Sequence, residues 1–266
     1  MLSKTVLATL AASLATFAIA APVVDVEERA YGYTPSYNWG STTTAYGATA
    51  GTACTKYEVI SARGTTESQT SPYGNTATVN GILNQVSGGA HYEVVYAADS
   101  NFATGPSIGA SDLVQHVNGR LSSCPNMKFV LIGYSQGAMV TVTAENNSQL
   151  PRNAVVATIL YGNPYWLPGR PENSGKSDYL KRLNAARRQS FVRLPSGTAL
   201  AGYGDASATG VKTPATYQSI TKDYCNTGDI ICTSTGSIYA HLAYSGSPQQ
   251  TQAIAYATSQ LHAAGI

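Results

Sequence analysis

The sequence predicts an α/β fold, a three-layer α/β/α sandwich with a central, mainly parallel sheet of five strands. Segments with strand character alternate with segments of helical period along the chain. The strand segments are nearly continuous in apolar residues, as strands covered on both faces must be. With 266 residues and no internal repeat, the chain is long enough for one core of this kind.

The elements are taken in chain order. Residues 1–20 carry one early positive charge, Lys4, then an apolar run over 6–19 that closes on Ala18-Ile19-Ala20. This is the layout of a secretory signal peptide, short for a spanning helix and followed by acidic rather than basic residues. Residues 21–50 are rich in Ala, Tyr, Gly, Thr and Ser and read as a pro-segment or flexible lead-in. The ordered domain is expected over 51–266. Its first strand is expected at 56–61, and its first helix over 76–86, with Val79, Ile82, Leu83 and Val86 on one face and a stop at Gly88-Gly89. A second strand is placed at 92–96 and a second helix at 108–121, with Leu113, Val114, Val117 and Leu121 in register. Residues 128–132, Lys-Phe-Val-Leu-Ile, form a buried third strand, and 137–146 a third helix. Residues 154–161 are a fourth strand, a short fifth strand precedes Cys225, and 249–263 closes the chain as a helix. The stretch 164–218 is irregular and rich in Pro, Gly and Ser. It carries the basic residues Lys176, Lys181, Arg182, Arg187, Arg188 and Arg193, read as a solvated face or a surface that docks on an acidic polymer.

Composition limits the partners. The formal charge of +2 is too small to favour nucleic acid. Only 11% of the residues are charged, so neutral polar side chains must cover much of the surface, which tolerates an uncharged polymer nearby. The four cysteines allow three pairings, and loop length favours Cys225 with Cys232 and Cys54 with Cys124. Loop-closure entropy assigns about 2.5 kcal/mol to the shorter loop and about 4.4 kcal/mol to the longer. Cys-x-x-Cys and His-x-x-x-His spacings are both absent, so a zinc site is not expected. Asn146-Asn147-Ser148 is an N-glycosylation sequon at a helix end, acceptor Asn146.

The chemistry centres on Gly133-Tyr134-Ser135-Gln136-Gly137. Gly-x-Ser-x-Gly alone is weak, but here it joins a buried strand to a helix, the setting of a nucleophile elbow. Glycines on both sides permit close backbone approach, and the helix N-terminus aims amide N–H groups at a reacting carbonyl oxygen. A serine nucleophile needs a base, and the base an orienting carboxylate. His241 follows a Gly- and Ser-containing loop late in the chain and is the expected base; His262 reads as a surface residue, His91 and His116 as structural. Asp229, inside the Cys225 to Cys232 loop, is the expected acid, with Asp223 as competitor in the preceding strand. Ile238 and Tyr239, just before the base, read as pocket walls or as loop packing.

Four segments together resemble the cutinase family of α/β-hydrolases. They are Ala62-Arg63-Gly64-Thr65-Thr66-Glu67, Gly133-Tyr134-Ser135-Gln136-Gly137, Cys225-Asn226-Thr227-Gly228-Asp229-Ile230-Ile231-Cys232 and His241-Leu242-Ala243-Tyr244. The resemblance implies Ser135, Asp229 and His241 as nucleophile, acid and base, and Thr65 with the Gln136 amide as the oxyanion hole. It also implies the two disulfides given above. Many fungal members carry serine where Thr65 stands, and parts of 164–218 lack a clear counterpart in compact members. The expected activity is hydrolysis of carboxylic esters through an acyl-serine, outside the cell, on cutin-like polyesters or short-chain esters. Alternatives are an acetylxylan esterase and a non-catalytic wall-binding protein on the same fold. No cofactor, nucleic-acid partner or stable membrane insertion is expected, and the protein is expected to be a monomer.

Overall fold

The computed structural model describes residues 53–174 and 202–266. The expected signal peptide, the whole of the lead-in and the basic stretch 176–193 lie outside these residues. The described strands are β1 (Tyr57–Ala62), β2 (Gly89–Glu93), β3 (Lys128–Tyr134), β4 (Val155–Tyr161), β5 (Asn173–Ser174) and β6 (Thr221–Tyr224). They form one sheet in the order β2-β1-β3-β4-β6-β5, and every pairing is parallel.

The helices are α1 (Tyr73–Gln85), α2 (Gly105–Ser123), α3 (Gln136–Glu145), the one-turn α4 (Ile230–Thr233) and α5 (Ile238–His241), and α6 (Pro248–Ala263). They cover both sheet faces, because successive strand residues point to opposite sides. Ile60, Phe129 and Leu131 enter a core with Leu113, Val114 and Val117 of α2. Their neighbours Val59, Val130 and Ile132 enter a second core with Val79 and Ile82 of α1 and Ala253, Ala257 and Leu261 of α6. The three-layer sandwich expected from the sequence is therefore present.

Two sequence expectations are corrected. Among the described residues the sheet has six strands, not five. The extra strand, β5, is two polar residues paired with Asp223 and Tyr224, too short to show any period. The second strand runs from Gly89 to Glu93 rather than over 92–96. Its register with β1 starts at Tyr57 opposite Gly89 and ends at Ser61 opposite Glu93. Val94 and Tyr96 lie beyond that pairing but are buried in the core, so their apolarity reports burial and not strand.

Two disulfides join Cys54 to Cys124 and Cys225 to Cys232, the pairing that loop length favoured. Among the described residues no helix is long and apolar enough to cross a membrane. His91 and His116 serve the fold: His91 Nε2 lies 2.7 Å from Ser61 Oγ, and His116 Nε2 lies 2.7 Å from the buried carboxylate of Glu58. His262 is exposed on α6.

Candidate active site

All loops at the C-terminal ends of parallel strands emerge on one side of the sheet. Ligands in open α/β sheets bind there, where connections leave neighbouring strands in opposite directions. β1 connects outward to β2 and β3 onward to β4, so the ends of β1 and β3 mark that point. Ser135 follows β3 directly and is the residue before α3.

Ser135 has φ 56° and ψ −120°, a region that L-residues occupy at a cost of about 1–3 kcal/mol. The surroundings enforce it. Its N–H donates to the Tyr161 carbonyl at 2.9 Å, and its own carbonyl accepts from Ala138 N–H at 2.9 Å as α3 begins. The flanking glycines are obligatory by contact. A Cβ on Gly133 would lie 2.5 Å from the Gly137 carbonyl oxygen, and one on Gly137 would lie 1.8 Å from that of Ala62. The serine is half-buried while both its neighbours are buried, so the turn presents its side chain and hides the rest.

Asp229 and His241 meet as a pair. His241 Nδ1 lies 3.0 Å from each carboxylate oxygen of Asp229. Asp229 is fully buried and His241 is 3% exposed. Asp229 precedes α4, and its Oδ1 accepts from Ile231 N–H at 2.8 Å. His241 ends α5, a single turn capped by Ser237, so the histidine expected to be the base sits on a short helix and not in open loop. The Tyr134 ring stacks on the imidazole at 5.1 Å, and its hydroxyl donates to the His241 carbonyl at 3.1 Å. Ser135 and His241 line one cavity of about 750 Å³.

Thr65 lies in the loop after β1 and lines the same cavity. Its hydroxyl makes a long contact, 3.5 Å, to Gln136 Oε1. Gln136 is fully buried and its Nε2 donates to the Asp99 carbonyl at 3.0 Å. The Thr65 loop is clamped from below. The Glu67 carboxylate accepts N–H groups from Gly64 at 2.6 Å, Tyr73 at 2.8 Å and Gly74 at 2.7 Å. The Arg63 guanidinium donates to the carbonyls of Glu67, Val94 and Tyr96. These bonds hold the loop that carries Thr65 in one conformation.

Ile238 lines the cavity and is 48% exposed. Tyr239, one residue on and about 100° around the helix, is 81% exposed and lies outside the lining. Asp223, the competing acid, is buried and accepts from Asn163 Nδ2 at 2.8 Å, whereas it is Asp229 that meets the His241 ring. Asn146 is exposed, and its amide nitrogen donates to the Val142 and Lys212 carbonyls at 2.8 and 3.0 Å. The cavity is also lined by residues that are not among the candidate site residues. Pro164, Asp205 and Ala206, from the long irregular stretch, form one wall, and Met139 of α3 forms another. Tyr73, Phe102 and Leu242 ring the mouth at 62%, 51% and 52% exposure.

The model of the family described as Cutinase matches residues 53–261. The chain belongs to the cutinase family. Carboxylesterase Culp1 of Mycobacterium tuberculosis is 31% identical over 217 residues, covering 80% of this chain and 84% of that protein. Acetylxylan esterase 2 of Talaromyces purpureogenus is 27% identical, over 79% of this chain and 88% of its own. Among solved structures, a cutinase-like protein from Cryptococcus sp. superposes with a TM-score of 0.64 at 30% identity, over 83% of this chain and 98% of the other. The resemblance drawn from four short segments is thus borne out across nearly all the described residues. As a cutinase-family member the chain is a carboxylic ester hydrolase.

Proposed function

We propose that this chain is a secreted serine esterase in which Ser135, His241 and Asp229 act as a triad. One observation carries the reading: a serine held at φ 56° before α3 shares a cavity with a histidine whose other ring nitrogen is fixed by a buried carboxylate. His241 Nε2 takes the proton as Ser135 Oγ adds to the ester carbonyl. The oxyanion is held by the Gln136 N–H, with Thr65 as second donor. Collapse expels the alcohol, which takes its proton from His241. Water then repeats the sequence on the acyl-serine and releases the acid. Asp229 keeps the imidazole in the tautomer with its proton on Nδ1 and stabilises the imidazolium.

The apolar mouth and the low surface charge support an uncharged, aliphatic acyl chain, as in cutin-like polyesters and short-chain esters. Acetylxylan is the second reading, supported by the acetylxylan esterase relative. Release of acid from a polyester film or tributyrin, compared with acetate from acetylated xylan, separates the two. The paired cysteines support folding in an oxidising compartment, in keeping with the N-terminal signal sequence. Residues 51–266 are read as the catalytic domain, Ile238 as part of the acyl-binding wall and Asn146 as a glycan acceptor. The test is covalent labelling with an organophosphonate together with Ser135→Ala. The wild type labels stoichiometrically, and the variant loses labelling and about 10⁴-fold or more of its rate on a p-nitrophenyl ester. A variant within about tenfold of wild type overturns the reading.

A further inference from the structure

We propose that Tyr244 is a positioning residue for this site, acting through Asp229; the inference rests on the triad reading. The Tyr244 hydroxyl donates to Asp229 Oδ2 at 2.6 Å and accepts from Asn226 N–H at 2.9 Å. Asp229 is thereby held by three donors, Ile231 N–H on one oxygen, the phenol on the other, and the imidazole N–H facing both. A fully buried carboxylate needs such donors to remain an anion. Without the phenol, Oδ2 keeps only the histidine, and the carboxylate is held by two donors in place of three.

The ring is as fixed as the hydroxyl. Tyr244 is 1% exposed, with the Tyr161 ring at 5.4 Å and the Tyr134 ring at 6.1 Å. Its backbone carbonyl is held by Ser247, whose hydroxyl donates at 2.6 Å and whose N–H donates at 3.1 Å. Burial and the neighbouring Asp229 charge push its phenol well above the usual tyrosine range, so it donates throughout the working pH range. Asn226, on the far side, stands beside Cys225, and its Nδ2 donates to the Ala240 carbonyl at 3.1 Å. The phenol thus links the disulfide loop that carries the acid to the segment that carries the base. His241 and Tyr244 lie on that same segment, so one short stretch supplies the base and the group that aims its partner.

The test is Tyr244→Phe, which keeps the ring and removes only the hydroxyl. The expected result is a fall of about tenfold or more in kcat with KM unchanged, and a parallel fall in the rate of organophosphonate labelling. In an Asp229→Asn background the same substitution is expected to change nothing further, because its target is gone. A kcat within twofold of wild type overturns the proposal, as does an equal fall in both backgrounds. Should the phenylalanine variant fail to fold, 3-fluorotyrosine placed at position 244 alters donor strength at nearly constant shape; unchanged kcat there overturns the proposal and a shifted kcat supports it. Asp229→Asn alone separates the two readings. If it stays fully active, the triad itself falls; if it is crippled while Tyr244→Phe is not, only the role of Tyr244 falls.

Discussion

Gly162 shows how much of the site depends on a missing side chain. It follows β4 with φ 56°, and a Cβ there would lie 2.5 Å from His241 Cε1, 2.6 Å from Nδ1 and 3.0 Å from Asp229 Oδ2. Both the backbone region and the contact demand glycine. Gly162→Ala is expected to displace the imidazole and lower kcat/KM by about 10²-fold, since misplacement near 1 Å costs that much. Steady-state kinetics against a soluble ester checks it. The role of this residue was not legible in the sequence, where Gly162 is one of 25 glycines. The glycines beside Ser135 were legible because a motif spaces them, whereas Gly162 acts on residues far along the chain. Tyr244 is similar: the quoted His-Leu-Ala-Tyr segment contained it, but only the fold turns its hydroxyl toward Asp229.

At the scale of elements, the strand-turn-helix around Ser135 was readable because its parts are contiguous. A buried apolar strand, two glycines and a helical run state the geometry almost completely. The loops of the proposed acid and base, Asp229 and His241, were readable in order but not in form. Asp229 caps one single-turn helix and His241 ends another, and four-residue helices leave no period to detect. What holds them is the disulfide around Asp229. Replacing Cys225 and Cys232 by serine is expected to lower stability by about 2.5 kcal/mol through the shorter loop, which for a domain of this size is roughly 5–10 °C in Tm. Activity is expected to fall further than stability, because the loop bearing Asp229 also carries the N–H that holds Tyr244. Calorimetry and kinetics on the same preparation separate the two losses.

For the whole molecule, the layered fold was legible because the central strands β1 and β3 alternate their residues between two cores. The polar interior was not. Glu145, at the end of α3, is buried against Thr158, whose hydroxyl donates to it at 2.7 Å. Burial pushes its carboxyl up to about 8; Glu172 adds to this, and the Thr158 bond and Arg152 oppose it. Asp223 is raised for the same reason. A raised carboxyl means that the folded state keeps a proton the unfolded chain has released. Stability from this group is therefore greatest in acid, declines as pH rises from about 4.5 to about 8, and is level above. Glu145→Gln is expected to raise Tm by several degrees at pH 9 and to flatten its decline between pH 5 and 8, as read by thermal melts across that range. Asp223 leaves a residual slope.

The all-parallel sheet carries one more consequence, for the order in which the protein comes into being. Parallel neighbours cannot be joined by a tight turn, so every strand pairing closes a long loop, and chains dominated by such contacts fold slowly. Ser135, Gly162 and Asp229 follow three different strands, and none is in place until β3, β4 and β6 lie side by side. Ester hydrolysis is therefore expected to appear together with the pairing of β3, β4 and β6 and not before it, a coincidence that refolding followed by sheet content and by activity would register.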